Sequence, residues 1–178
     1  MDFTEKTLSS EYIFKGKILK LRVDEVELPN GKKARREVTE HSGAVAVLPV
    51  TDDGKAMLVR QFRYAYKQHL IEIPAGKIDP GEDPETAVRR EMREEINRAC
   101  DELTFLGMMY PAPGAQYEPV YIYLARKLSV CDGTPDEDEF VETILMDVDE
   151  LIAKVTSGEI RDAKTCVAVL KYALMRKE

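Results

Sequence analysis

The sequence predicts a mixed α/β protein in which helices cover both sides of a β-sheet. Three observations predict this class: strand-like segments fill residues 18–73, a capped amphipathic helix follows, and two further helical segments end the chain. The 178 residues, 44% of them hydrophobic, suffice for one domain with a large core. We expect residues 1–40 to form an N-terminal β region and residues 41–178 to form the main domain.

The strands follow from local patterns, taken here in chain order. Residues 18–28 and 32–38 mix apolar and charged residues around Pro29-Asn30-Gly31, which predicts a hairpin with positive φ angles at the Asn-Gly pair. The nearly all-apolar residues 43–50 predict a strand that is covered on both faces. Similar runs predict further strands at residues 56–62, 70–73, 104–110, 120–125 and 140–148.

Capping residues and apolar spacing predict three helices. The first begins after Asp83, whose side chain can cap the free amides, has Pro84 in its first turn, and ends near Asn97. The other two are expected at residues 149–157 and 162–177. The residues at core spacing are Val88, Met92 and Ile96 in the first helix, and Val167, Leu170 and Leu174 in the last.

The composition excludes several classes of protein. A formal net charge of −7 argues against binding DNA or anionic membranes by net attraction, so an anionic ligand needs a local reversal of sign. No apolar run is long enough to span a membrane, and the first residues do not resemble a signal peptide. Because Cys100, Cys131, Cys166, His41 and His69 lack metal-site or disulfide spacing, we expect free thiols in a cytoplasmic protein.

Three carboxylates are predicted to share one face of the first helix. At 100° per residue, Glu91, Glu94 and Glu95 fall within an arc of about 100°. Like charges one turn apart, close to the negative end of the helix dipole, destabilise a helix. Mg²⁺ or Mn²⁺ would relieve this repulsion, because these hard cations bind carboxylate oxygens, and Glu82 on the preceding loop adds a further carboxylate.

The same residues allow a second interpretation, in which residues 89–95 form a solvated charged face and Arg90 pairs with Glu94. The segment in front of the helix favours the cation site. Residues 73–76 end a strand sharply, and Asp79-Pro80-Gly81 makes a second turn before the helix begins. A strand, a rigid loop and a carboxylate face in succession bring backbone carbonyls and Glu side chains together.

The stretch from Gly76 to Arg98 resembles the Nudix box, which reads Gly, five residues, Glu, seven residues and then R-E-apolar-x-E-E-x-G-apolar. Asn97 stands where the box usually has Gly, and Arg98 stands where it has an apolar residue. Asn tolerates the left-handed conformation that ends such a helix, so we expect the helix to end there. The matching residues are Gly76, Glu82, Arg90, Glu91, Met92, Glu94 and Glu95.

Within the Nudix superfamily, the chain is most similar to the bacterial ADP-ribose pyrophosphatases. Pro113 lies fifteen residues after Arg98, where those enzymes carry a proline, but Ala112, Ala115 and Tyr117 depart from their S-P-G-F-x-D-E loop. The resemblance implies a Nudix-like α/β/α sandwich with a mixed sheet and an N-terminal antiparallel hairpin region. The other similar segments are residues 27–32, 35–38, 43–50, 59–63, 73–82 and 136–140.

The resemblance also implies roles for single residues. Glu91 and Glu95 match the principal metal ligands, Glu137 matches the loop residue proposed as general base, and Arg90 belongs to the catalytic part of the box. The other implied metal ligands are Glu94, Glu82, Glu139 and the carbonyl of Ala75. The implied substrate-binding residues are Arg36, Arg63, Lys77, Ala112, Pro113, Gly114 and Glu118, with Lys17 and Ile18 of the other subunit of a homodimer.

The implied activity is the Mg²⁺-dependent hydrolysis of ADP-ribose to AMP and ribose 5-phosphate. Two alternatives stay open: another substrate, such as NADH, a dinucleoside polyphosphate or a sugar nucleotide, and a non-catalytic module that senses a nucleotide. Arg36 and Arg63 are expected to supply the local positive charge, although each could also be an ordinary surface arginine. Residues 136–139 could likewise be a solvated acidic loop, and the N-terminal region a lid on its own domain.

Overall fold

The N-terminal part of the chain folds into an antiparallel sheet. The structure, a computed structural model, describes residues 2–134 and 140–177. Strands β1 (Lys6–Lys15), β2 (Lys20–Glu27) and β3 (Lys33–Glu40) lie side by side, and β9 (Gln116–Tyr117) pairs in parallel with β3. These strands belong to the first of two compact units, Met1–Gly43 with Tyr110–Pro119. The second unit comprises Ala44–Met109 and Val120–Glu178.

The predicted hairpin is present between β2 and β3, but its turn differs from the expected one. Glu27 stands opposite Lys33, so the loop is longer than a two-residue turn. Only Gly31 in this loop has a positive φ, of 77°. Asn30 instead accepts a hydrogen bond from the Lys32 amide through its side chain, at 3.1 Å. Asn30 therefore stabilises the loop as a hydrogen-bond acceptor rather than through a left-handed backbone.

The second unit contains two sheets and three helices. Its strands are ordered β7-β4-β10-β8 in one sheet and β11-β5-β6 in the other. Strand β4 runs parallel to β10, whereas β7 and β8 are antiparallel to their neighbours, so the first sheet is mixed. The elements are β4 (Ala44–Pro49), β5 (Lys55–Arg63), β6 (Gln68–Glu72), β7 (Ala75–Lys77), α1 (Pro84–Ile96), β8 (Arg98–Met109), β10 (Val120–Val130), β11 (Val141–Asp147), α2 (Val148–Thr156) and α3 (Ala163–Met175).

The core lies on both faces of the strand that the sequence predicts to be covered on both sides. Successive side chains of β4 point to opposite faces. Val45 and Val47 pack with Met92 of α1, whereas Ala46 and Leu48 pack in the cluster that includes α2 and α3. Helices therefore cover both sides of the sheet, and the predicted α/β/α sandwich is confirmed.

Helix α1 forms as predicted from its capping residues. The Asp83 side chain accepts hydrogen bonds from the amides of Glu85 and Thr86, at 3.0 and 3.1 Å. Asn97 ends the helix in the left-handed conformation, with φ 52° and ψ 46°. The predicted core residues of this helix, Val88, Met92 and Ile96, are all buried.

The buried face predicted for the last helix is wrong. Leu170 and Leu174 are exposed, and Val167 is only partly buried. A different set of residues at helical spacing is buried instead. Its first member, Thr165, accepts a long-range hydrogen bond from the Ile73 amide, which fixes this face of the helix toward the strands. The buried residues of α3 are Thr165, Ala168, Val169 and Tyr172.

Several strand boundaries also differ from the prediction. Strands β8 and β10 pair along most of their length, from Met109 opposite Val120 to Arg98 opposite Val130, which extends both beyond their apolar segments. Local patterns did not locate β1, β7 or β9, because β1 lacks a regular alternation and the other two are very short. Strand β1 nevertheless lies within the expected N-terminal β region. Cys100, Cys131 and Cys166 are free thiols. Among the described residues, no helix is long and apolar enough to cross a membrane.

Candidate active site

Helix α1 buries two carboxylates on the face that the sequence predicts to be acidic. Glu91 is 7% exposed and Glu95 is 5% exposed, whereas the Glu94 side chain at the edge of this face is about one quarter exposed. Burying a carboxylate costs free energy unless hydrogen bonds or cations compensate for the lost water. The contacts of these side chains therefore show how their burial is compensated and whether the face could bind a cation.

Strand β7 lies directly against this helix face. The Ala75 amide donates a hydrogen bond to Glu95 Oε2 at 2.9 Å. A Cβ atom on Gly76 would overlap the carboxylate group of Glu91, so a side chain at this position would displace that carboxylate. The spacing between Gly76 and the helix in the box thus reflects a close approach of the strand backbone to two buried carboxylates.

One guanidinium links three carboxylates of the site. Arg90 donates to both oxygens of Glu82 at 3.0 Å, to Glu91 Oε1 at 2.8 Å and to Glu94 Oε2 at 2.9 Å. Its fifth hydrogen bond goes to the carbonyl of Lys77, at 3.0 Å. We call Glu82, Glu91, Glu94 and Glu95 the carboxylate cluster. The pairing of Arg90 with Glu94 expected for a charged helix face is present, but as part of a partly buried network.

These hydrogen bonds set the ionisation of the groups they join. The hydrogen bonds from Arg90 hold the pKa of Glu82 below its usual value of 4.5, against the opposing effect of burial. The hydrogen bond to Glu82 is the largest effect that raises the pKa of Arg90, followed by Glu91 and Glu94. Arg90 and Glu82 are therefore both ionised at neutral pH.

The oxygen donors of this site suit a hard divalent cation. Glu91 and Glu95 are buried side by side, and Ala75 is in contact with Glu95 through its amide. Within residues 2–134 and 140–177, no three His, Cys, Asp or Glu side chains converge tightly enough to define a complete metal centre. Arg90 lies among the carboxylates and holds three of them. The donor chemistry fits the predicted cation.

A cleft of about 530 Å³ opens beside the carboxylate cluster. Helix α1 contributes Glu94 and Glu95 to its lining, and strands β5, β6 and β11 form much of the rest. The cleft is large enough for part of a nucleotide. Its other lining residues are Arg60, Phe62, His69, Asn97, Phe140, Val141, Glu142 and Thr143.

Asn97 has a role that the sequence analysis missed. Its side chain accepts a hydrogen bond from the Gly133 amide at 3.0 Å, and its carbonyl accepts one from the Cys131 amide at 3.2 Å. A Cβ on Gly133 would overlap the carbonyl of Arg93. The sequence did contain a signal for this role. Asn97 stands where the Nudix box usually has glycine, and only asparagine has a side-chain amide that can accept such a hydrogen bond. Glu137 and Glu139 follow this segment and lie outside the described residues.

A second ionic group lies at the end of β6. The buried Glu72 carboxylate accepts two hydrogen bonds from Arg63, at 2.7 and 2.8 Å, and one from Lys164. Lys164 also donates to Asp162 at 3.0 Å. Burial alone would raise the pKa of Glu72, but the hydrogen bonds and charges of Arg63 and Lys164 hold it below the usual value. We call Arg63, Glu72, Asp162 and Lys164 the ion network.

The two arginines expected to bind the diphosphate are both paired with carboxylates. Arg36 on β3 forms two hydrogen bonds with Glu5, at 2.8 and 2.5 Å, and Arg63 forms two with Glu72. Arg36 belongs to the first unit and Arg63 to the second. The local reversal of sign expected from these arginines is therefore offset by their partners, and a diphosphate would have to share or displace those carboxylates.

The remaining predicted substrate residues fall into two groups. Lys77 lies on β7, next to the Arg90 guanidinium. The others belong to the first unit, where Glu118 accepts a hydrogen bond from Gln116 and lies 3.5 Å from His41. The described predicted residues that the structure brings together are Glu82, Arg90, Glu91, Glu94, Glu95, Ala75 and Lys77. Those in the first unit are Lys17, Ile18, Arg36, Ala112, Pro113, Gly114 and Glu118.

Comparison with known proteins agrees with the resemblance seen in the sequence. The NUDIX domain model matches residues 40–166, and a model of the nucleoside diphosphate sugar hydrolase N-terminal domain matches residues 5–39. The chain therefore belongs to the Nudix family, whose hydrolases generally use divalent metal ions. The predicted family is confirmed.

Two curated relatives align with the chain over almost its whole length. An ADP-ribose pyrophosphatase of Bacillus subtilis (strain 168) is 44% identical and covers 98% of this chain and 97% of its own. A methanol dehydrogenase activator of Bacillus methanolicus is 41% identical and covers 98% of both chains. The crystal structure of an ADP compounds hydrolase superposes with a TM-score of 0.88, covering 99% of this chain and 97% of its own. At 21% identity, that match supports the fold.

Proposed function

We propose that this chain hydrolyses the diphosphate bond of ADP-ribose, releasing AMP and ribose 5-phosphate, with Mg²⁺ held by the carboxylate cluster. The observation that carries the proposal is the contact of the buried Glu91 and Glu95 with the backbone of Ala75 and Gly76. Identity of 44% to an ADP-ribose pyrophosphatase supports the choice of substrate.

The residues that would hold the metal are Glu91, Glu95 and the carbonyl of Ala75, with Glu82, Glu94 and Glu139 in support. When bound, Mg²⁺ neutralises charge on the diphosphate oxygens and lowers the pKa of a coordinated water. Arg90 keeps Glu82, Glu91 and Glu94 in a fixed arrangement through its hydrogen bonds. These side chains thereby present several carboxylate oxygens to the cation.

The remaining roles concern the proton and the substrate. Glu137 takes a proton from the attacking water as general base. Arg36 and Arg63 bind the diphosphate or the nucleotide, and Lys77, the loop of Ala112 to Gly114 and Glu118 bind the rest of the substrate. Phosphoryl transfer requires mainly positioning and electrostatic stabilisation, which these residues supply.

Product analysis tests the proposed activity. The protein is incubated with ADP-ribose and Mg²⁺, and AMP and ribose 5-phosphate are quantified by chromatography, with EDTA as the control. We expect both products in equal amounts and none with EDTA. A parallel panel of NADH, a dinucleoside polyphosphate and a sugar nucleotide measures specificity. Less than about a tenfold preference for ADP-ribose identifies a broader hydrolase, and binding without AMP release over hours identifies a sensing module.

Identity of 41% to a methanol dehydrogenase activator favours a second candidate, in which the chain activates a dehydrogenase. A methanol dehydrogenase is assayed alone, with the chain, and with its Glu95→Gln variant. Stimulation by the chain supports this function, and loss of stimulation in the variant connects it to the carboxylate cluster. An unchanged dehydrogenase rate contradicts it.

We also propose a homodimer in which the N-terminal region is exchanged, so that Lys17 and Ile18 reach the adenine site of the other subunit. Every residue of β1 is exposed in the single chain, including the apolar Ile13 and Phe14. Exposed apolar strands commonly pack against a partner. Sedimentation at micromolar concentration distinguishes a dimer from a monomer with a lid. The cytoplasmic location inferred from the sequence stays a prediction.

A further inference from the structure

The end of β6 is held from the side of helix α3. The Glu72 carboxylate accepts hydrogen bonds from Lys164 and from Arg63. The next amide, that of Ile73, donates to the hydroxyl of Thr165 at 2.9 Å. Glu72, Ile73 and Thr165 are all buried, so solvent cannot replace these bonds. Two side chains of one helix turn therefore fix two consecutive residues of the strand end.

The two residues that follow are held from other directions. The carbonyl of Pro74 accepts a hydrogen bond from the Val47 amide at 2.9 Å, and the Ala75 amide donates to Glu95 at 2.9 Å. Residues 72 to 75 are thus anchored in turn by α3, β4 and α1. One residue, Pro74, separates Ile73 from Ala75, and planar peptide bonds leave few dihedral angles between them to absorb a displacement, so we expect a shift at Ile73 to change the position of Ala75.

The first turn of α3 is itself closed by a set of hydrogen bonds. Asp162 caps the helix by accepting from the Thr165 amide at 3.0 Å, and it also accepts from the Thr165 hydroxyl at 2.5 Å. The hydroxyl therefore donates to Asp162 while it accepts from Ile73, which fixes its orientation. Lys164 is held between Asp162 and Glu72 in the same way.

We infer that Lys164 and Thr165 are positioning residues, which set the strand end at residues 72–75 for metal binding by Ala75, Glu91 and Glu95. The inference rests on the proposed function, because it concerns the same metal site. Lys164 and Thr165 act through Glu72 and Ile73, since their described contacts are with those residues and with Asp162. Groups that orient metal ligands from behind commonly change metal affinity about 10- to 100-fold when removed.

The hydroxyl of Thr165 provides the sharpest test. Thr165→Val keeps the shape of the side chain and removes the acceptor for Ile73, whereas Thr165→Ser keeps the acceptor. Binding of Mn²⁺ in the absence of substrate is measured by titration calorimetry. We expect the dissociation constant to rise about tenfold in Thr165→Val and to stay within about twofold of the parent in Thr165→Ser.

The ammonium group of Lys164 is tested by Lys164→Met, with Lys171→Met as the matched control. Lys171 lies on the same helix but donates to the carbonyl of Leu106. We expect Lys164→Met to raise the Mg²⁺ concentration needed for half-maximal rate about tenfold. The rate at saturating Mg²⁺ and ADP-ribose should stay close to that of the parent, which a general loss of folding would not allow. Lys171→Met should leave both quantities unchanged.

Amide hydrogen exchange gives a readout that needs neither metal nor activity. The amides of Ile73 and Ala75 should exchange faster in Thr165→Val than in Thr165→Ser, while amides in β8 exchange at the parent rate. Unchanged Mn²⁺ affinity together with unchanged exchange in a folded Thr165→Val protein overturns the inference. If that variant does not fold, Lys164→Met decides by the same two measurements.

The two proposals fail in different ways. If the parent protein binds no Mn²⁺ and releases no AMP from ADP-ribose, the proposed function is wrong, and the exchange of Ile73 and Ala75 still decides whether α3 positions the strand end. If the parent is active and the variants match it in affinity and exchange, the function stands and the role of Lys164 and Thr165 is refuted.

Discussion

The carboxylate cluster and the ion network are both partly buried groups of charges in the second unit, and they differ in balance. The carboxylate cluster has four acids, and Arg90 forms ion pairs with Glu82, Glu91 and Glu94. The ion network has two acids, Glu72 and Asp162, and two cations, Arg63 and Lys164. Equal numbers of acids and cations favour a role in packing and positioning, whereas several acids on one helix face favour the binding of a metal cation.

The largest effect that tests this comparison is the loss of rate in Glu95→Gln. Removing the negative charge should lower kcat by at least about a hundredfold, because transition-state stabilisation by the metal is lost. The rate of AMP release at saturating ADP-ribose measures this. Glu85→Gln is the matched control, since Glu85 lies on the same helix but is exposed and paired with Arg89. Near-parental turnover in Glu95→Gln would refute the metal assignment.

A substitution in the ion network should instead lower the free energy of unfolding. Glu72→Gln leaves Arg63 and Lys164 without their buried anion, and breaking a buried ion pair in this way costs about 3–5 kcal/mol of unfolding free energy. Urea unfolding followed by circular dichroism measures the loss. Glu94→Gln, which removes one acid from the unbalanced cluster, should change the stability of the metal-free protein by less than about 1 kcal/mol. Equal losses in the two variants would contradict the comparison.

The same network makes stability depend on pH. The pKa of Glu72 is lower in the folded protein than its usual value of 4.5, because Arg63 and Lys164 outweigh the effect of burial. A group with a lowered folded pKa contributes stability above its unfolded pKa and loses it as the pH falls through the folded pKa. The stability difference between parent and Glu72→Gln should therefore be full at pH 7 and shrink below about pH 4.5. A difference that grows on acidification contradicts this sign.

The smallest effect is expected at Asn97. Asn97→Gly keeps the left-handed end of α1 but removes the hydrogen bond to the Gly133 amide, which should cost about 1 kcal/mol. Asn97→Ala also forces an alanine into the left-handed conformation and should cost about 1 kcal/mol more. Urea unfolding of the two variants separates the contributions. If Asn97→Gly is as stable as the parent, the side-chain hydrogen bond adds nothing.

The part of the fold that local patterns specify could be predicted from the sequence. For the helix from Asp83 to Asn97, nearby residues specify the N-terminal cap, the buried apolar face and the left-handed C-terminal end. The structure contains all three. The last helix could not be oriented in this way. Its leucines have core spacing, but the contact of Thr165 with Ile73 involves residues 92 positions apart, which periodicity does not contain.

In the candidate site, too, features set by local sequence could be predicted, whereas those set by long-range contacts could not. The acidic face of α1 and the break in the chain after β6 could be found from the sequence, and the structure brings Glu91, Glu95 and Ala75 into one place. The short strand β7, which contains Gly76, was not predicted. The partners of Arg36 and Arg63 could not, because Glu5 and Glu72 are ordinary acids in the sequence and only the paired strands and helices bring them close. The roles of Glu137 and Glu139 stay predictions.

The bare backbone at Gly76 has a consequence for reading related sequences. The space that a side chain at this position would occupy is filled by the carboxylate of Glu91, fifteen residues away. Gly76→Ala therefore requires the Glu91 carboxylate to move away from the strand. A glycine retained here indicates that the carboxylate still lies against the strand backbone, and a larger residue in a homologous chain would mark a protein in which this carboxylate is placed elsewhere.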